Sequence, residues 1–60
     1  MKDQNNTPIS KGDSVFADPK NGDFAESFLG TVIGERNGLI QVQDIEGNVV
    51  ECEPEQIEKE

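Results

Sequence analysis

The chain has no histidine, no tryptophan and no tyrosine, and its one cysteine is Cys52. Each absence closes off a chemistry. Without histidine, no imidazole is available near neutral pH as the base for a cysteine nucleophile. A lone cysteine makes no intrachain disulfide, and no second thiol is present to resolve an oxidised form. Its neighbours Glu51 and Glu53 would raise a thiol pKa and disfavour the reactive thiolate. Cys52 therefore reads as a small core residue. Basic side chains are also scarce: five Lys/Arg stand against 13 Asp/Glu, for a net charge of −8. Lys2, Lys11, Lys20, Arg36 and Lys59 are scattered along the chain. They build no patch that would displace counterions from nucleic acid or attract anionic lipid, so neither nucleic acid nor membrane is an expected partner. No apolar run approaches the roughly 18 residues of a membrane span. The polar stretch from Met1 to Ser10 lacks the apolar run of a signal peptide, and a cytoplasmic location is expected.

Sixty residues make one domain with a thin core, since a chain of this length buries only about 60% of its unfolded surface. It cannot wall off a large ligand pocket, so binding should use a shallow groove or a flat face. Paired carboxylates are plentiful, but no cleft is expected that would desolvate one and leave its neighbour ionised. Gly30 and Gly34 fall inside a strand pattern and precede no helix, unlike a phosphate-binding loop. The acidic loop from Asp18 to Asp23 lacks the alternating ligands and final glutamate of a calcium loop, and reads as a solvated turn. The chain is expected to be no enzyme, with no cofactor and no metal.

What the chain does carry is a series of short β-type segments punctuated by turn residues. Six glycines and three prolines interrupt any helical run. The first segment is 14–17, with Val15 and Ala17 on one face and Phe16 on the other. The second runs from about Phe28 to Glu35, with Phe28, Gly30 and Val32 facing one way; its glycines suggest bends or close backbone approach. Asn37-Gly38 marks a tight hairpin turn. The third segment, 39–44, turns Ile40 and Val42 inward. After the Glu46-Gly47-Asn48 turn, the fourth, 49–53, turns Val50 and Cys52 inward. Residues 54–57 read as a short 3₁₀ turn that plugs Ile57 into the open end, with a brief last strand after it. The expected core is Val15, Ala17, Phe28, Val32, Ile40, Val42, Val50, Cys52 and Ile57, within a domain of residues 10–60. Residues 1–9 are expected as a flexible tail.

Gly12-Asp13-Ser14-Val15, Phe28-Leu29-Gly30-Thr31-Val32-Ile33, Ile40-Gln41-Val42, Glu46-Gly47 and Glu55-Gln56-Ile57 resemble the Tudor and related KOW-type members of the SH3-like barrels, over about residues 11–58. The resemblance implies an all-β fold: a small SH3-like, Tudor-type barrel of about five antiparallel strands with a short 3₁₀ turn before the last. Tudor domains that read methylated lysine or arginine surround the cation with aromatic faces. Of the positions where the family places those aromatics, only Phe28 matches; Pro19, Asp44 and Val50 occupy the others. Methyl reading therefore does not carry over. KOW-type barrels bind RNA or ribosomal surfaces through basic loops, whereas these loops are acidic.

Phe16, Phe24 and Leu29 have no inward place in the alternation. Either they form an apolar patch on a peptide-binding face or some of them fold over the barrel mouth. With Asp18, Asp23 and Glu26 as an acidic rim, they are the candidate binding residues. The function expected is a small acidic protein-binding (adaptor) module for a basic protein partner, acting as a monomer rather than an oligomer. The alternatives are a structural accessory or oligomer-forming barrel, and an acidic mimic that occupies a nucleic-acid-binding protein.

Overall fold

The computed structural model describes residues 1–18 and 27–60. Its strands are β1 (Ser14–Ala17), β2 (Phe28–Arg36), β3 (Leu39–Gln43), β4 (Val49–Cys52) and β5 (Ile57–Lys59), with a 3₁₀ turn at Pro54–Gln56 before β5. All five form one antiparallel sheet in the order β4-β3-β2-β1-β5. The fold is all-β, as the turn spacing predicts, with one-residue shifts at three strand ends, β2 running on to Arg36. β3 stops at Gln43 because Asp44 already belongs to the next turn, and β4 stops at Cys52 because Glu53 caps the 3₁₀ turn.

One face of the sheet holds the core. Val15, Ala17, Val32, Ile40, Val42, Val50, Cys52 and Ile57 are all buried, drawn from all five strands, and Phe28 packs partly buried against them. A flat sheet of this length would leave that face in water. The principal extents, 26 × 23 × 20 Å, are near equal, which requires the sheet to curl around its own apolar side.

Two local features make the curl. Gly30 lies so close to β3 that a Cβ there would sit 2.5 Å from Val42 Cγ1 and 2.8 Å from the Gln43 carbonyl oxygen. Further along β2, Val32 pairs with Val42 but Gly34 pairs with Gln41. Ile33 is thus the extra residue of a bulge, and bulges bend and twist the strand that carries them. The β2–β3 hairpin closes through Asn37 and Gly38, at φ 53° and 81°, the paired positive angles of a tight primed turn.

The N-terminal segment, where a tail is expected, folds back onto β5. Lys2 pairs with Pro8, the Ile9 N–H donates to the Met1 carbonyl at 2.9 Å, and the Gln4 N–H donates to the Ile57 carbonyl at 2.8 Å. Ile9 is buried in the core. Asp3 is buried as well, its carboxylate accepting N–H groups from Asn5, Thr7 and Lys59 at 2.9, 2.8 and 2.8 Å. These bonds go to side-chain and backbone groups that show no apolar period, so the pattern of the sequence does not announce them. No helix among the described residues is long and apolar enough to cross a membrane.

Candidate binding surface

Alternation along β1 and β2 sends Val15, Ala17, Gly30 and Val32 inward, and therefore sends Phe16 and Leu29 outward. The register places those two directly opposite each other. The Val32 N–H donates to the Asp13 carbonyl at 2.9 Å, which fixes which pairs share hydrogen bonds. Phe16 and Leu29 fall on the other kind, where side chains approach more closely. Phe16 is 49% exposed and Leu29 50%. Two large apolar side chains thus stand side by side, half in water, on the outer face.

The band continues toward β3. A depression of about 240 Å³ is lined by Ser14, Leu29, Thr31, Gln43, Asp44 and Ile45. Ile45 is 98% exposed, at the tip of a turn that its neighbour makes rigid. The Asp44 carboxylate accepts the N–H groups of Glu46 and Asn48 at 2.9 and 2.8 Å, and the Asp44 N–H donates to the Asn48 carbonyl at 2.9 Å. Val49, opposite Gln43, is also exposed.

Acidic groups flank this band. Glu58 on β5 lies opposite Phe16, Glu46 follows Ile45, and Asp18 closes the end of β1, half-buried and accepting the Ser27 hydroxyl at 3.1 Å. Of the sequence-derived candidates, Phe16, Leu29 and Asp18 are therefore in place on or beside one face. Phe24, Asp23 and Glu26 lie outside the described residues, as does most of the Asp18–Asp23 loop. Ile45 and Val49 lie outside the sequence-derived candidates. The available signal for Ile45 was an apolar residue inside an otherwise polar turn, Asp44 to Asn48.

Elsewhere the chemistry is sparse. Cys52 is buried and unpaired, and burial pushes its thiol pKa up, which favours the inert protonated form. An open depression of about 470 Å³ is lined by Asn37, Gly38, Leu39, Glu53, Pro54 and Glu55. There the Glu53 carboxyl is pushed up by a hydrogen bond with Glu55 and by the charge of Glu55, as expected when two exposed carboxylates crowd one spot. Among the described residues, no group of three or more carboxylate, cysteine or histidine side chains is placed to hold a metal ion.

Comparison with family models, curated proteins and solved structures finds no match to the chain.

Proposed function

We propose that this chain is a small acidic protein-binding (adaptor) module of SH3-like, Tudor-related kind, acting in the cytoplasm on a basic protein partner. The observation that carries the reading is the Phe16–Leu29 pair, half-exposed on the outer face of β1 and β2. Aromatic side chains left outside a core are common anchors of protein contacts, and truncating a side chain that acts as such an anchor costs about 2 kcal/mol or more of binding. Ile45 extends the anchor, and Glu58, Asp18 and Glu46 supply a rim that repels acidic partners and speeds encounter with basic ones. The strand order, with its 3₁₀ turn before the last strand, supports the SH3-like part of the reading. Of the positions where methyl-reading Tudor domains place cage aromatics, the sequence fills only the one at Phe28, with Pro19, Asp44 and Val50 at the others.

The test begins with capture of the partner from the native cell. Phe16→Ala and Leu29→Ala should then each weaken binding by about tenfold or more, while Gln4→Ala, on an exposed loop position, leaves it unchanged. Raising salt should slow association and leave dissociation almost untouched. Full affinity in both apolar variants, with the fold preserved, removes the proposal. A stable dimer by light scattering that hides Phe16 and Leu29 assigns the same face to self-association instead.

A further inference from the structure

The two edges of the sheet are finished differently. At the β5 edge, the Asp18 N–H donates to the Gln56 carbonyl and the Glu60 N–H to the Ser14 carbonyl, at 2.8 and 3.1 Å. Even-numbered residues of this strand therefore bond β1, and Ile57 and Lys59 direct their backbone groups outward. The outward groups are largely taken. The Ile57 N–H donates to the Pro54 carbonyl, the Ile57 carbonyl accepts the Gln4 N–H at 2.8 Å, and the Lys59 N–H donates to the Asp3 carboxylate at 2.8 Å. The N-terminal loop thus covers this edge, a common defence against unwanted strand pairing.

Among the described residues, the β4 edge has no such cover. The Asp44 N–H bonds the Asn48 carbonyl, and the register pairs Val42 with Val50 and Ile40 with Cys52. Val50 and Cys52 therefore bond β3, while Val49, Glu51 and Glu53 direct their backbone groups outward. Glu53 is satisfied by Gln56: its N–H donates to Gln56 Oε1 at 2.9 Å, and its carbonyl accepts the Gln56 N–H at 2.8 Å. Val49 and Glu51 pair with no described residue on that side. Two N–H and two C=O groups remain in line, in strand geometry. The chain on either side of them carries charge of one sign: residues 45–57 include four glutamates (46, 51, 53 and 55) and no lysine or arginine. Val49 and Glu51 are both exposed on the outer face.

We propose that the outer edge of β4 accepts an added strand from an extended, basic segment of a protein partner. Main-chain bonds to Val49 and Glu51 supply affinity, and alternate side chains supply specificity. An apolar residue of the added strand covers Val49, and an arginine or lysine two positions away meets Glu51 and the glutamates around it. The inference rests on the reading of the chain as a protein-binding module with a basic partner. It is centred on the backbone edge of β4 and not on the Phe16–Leu29 pair, with Val49 beside both, so the two can fail separately.

The probe is a short peptide, Arg-Thr-Val-Thr-Arg-Thr-Lys, titrated into the ¹⁵N-labelled full chain and followed by NMR. The expected result is saturable movement of the Val49 and Glu51 amide signals. The same peptide N-methylated at alternate amides, in both registers, keeps its charge but loses strand donors, and should bind about tenfold or more weakly. Glu51→Pro removes an outward N–H without touching the β3 ladder and should abolish binding while the spectrum stays dispersed. If that variant does not fold, a synthetic chain with N-methyl-Glu51 removes the same donor and leaves the side chain in place. Equal binding by plain and methylated peptides would mean charge alone, and overturns the proposal. So does an absence of shifts at millimolar peptide, or a dimer of the chain that already occupies β4. Shifts centred on Phe16 and Leu29 with β4 unmoved overturn strand addition but leave the protein-binding reading standing.

Discussion

The Asp3 carboxylate meets the backbone N–H of Lys59 at 2.8 Å, joining residues 56 positions apart and closing the N-terminal loop onto the last strand. One side chain thereby satisfies an outward N–H of the edge strand and ties down its own loop, since Asn5 and Thr7 donate to its other oxygen.

That arrangement sets a pH dependence. The Lys59 N–H, followed by those of Thr7 and Asn5, holds the Asp3 carboxyl below its ordinary value of 3.8. A depressed carboxyl contributes stability that is fully present above the ordinary value and is lost as pH falls through the folded value. Asp3→Asn turns an amide donor toward N–H groups that need an acceptor. Thermal unfolding should show the variant melting below the parent at neutral pH, with the gap narrowing as the solution is taken below the folded value. A constant gap across that range would mean that the charge of Asp3 has no part in the contact.

Ile9 should matter as much as a strand residue. It is 3% exposed and belongs to the core, although it precedes the first strand. Ile9→Ala should cost about 2 kcal/mol or more, the usual penalty for emptying a buried isoleucine site. A domain of this size has only about 3–9 kcal/mol in total, so urea unfolding will register the loss. A change under about 0.5 kcal/mol, the range of ordinary surface substitutions, would mean that the loop contributes nothing to the core.

The two glycines of β2 should respond unequally. At Gly30 a methyl group meets Val42 and the Gln43 carbonyl at 2.5 and 2.8 Å, whereas at Gly34 its nearest contact is Gln41 Oε1 at 3.3 Å. The first contact includes backbone, which must shift; the second is the end of a flexible side chain. Gly30→Ala should therefore destabilise by about 1–3 kcal/mol, and Gly34→Ala by clearly less. Equal midpoints in denaturant for the two variants would contradict the close approach of β2 to β3.

The strands were legible in the sequence because a strand needs only local rules. Side chains alternate between faces with a period of two, and Asn37-Gly38 and Glu46-Gly47-Asn48 offer the backbone angles that end one run and begin the next. From those rules follow the inward set from Val15 to Ile57 and the outward direction of Phe16 and Leu29. Alternation alone does not say which strands are neighbours. Phe16 and Leu29 become one surface only when β1 pairs with β2, and Glu58 joins their rim only when β5 closes on β1. Ile45 joins them through a turn held by Asp44, and Ile9 and Asp3 enter the fold through contacts with no period. Such contacts depend on which distant backbone groups are left unpaired after the sheet curls, and that is decided by the whole chain at once. The two edges of the sheet belong to the same class: β4 and β5 each carry outward N–H and C=O groups by their own geometry, and among the described residues it is the position of the N-terminal loop that covers β5 and leaves Val49 and Glu51 of β4 without a partner.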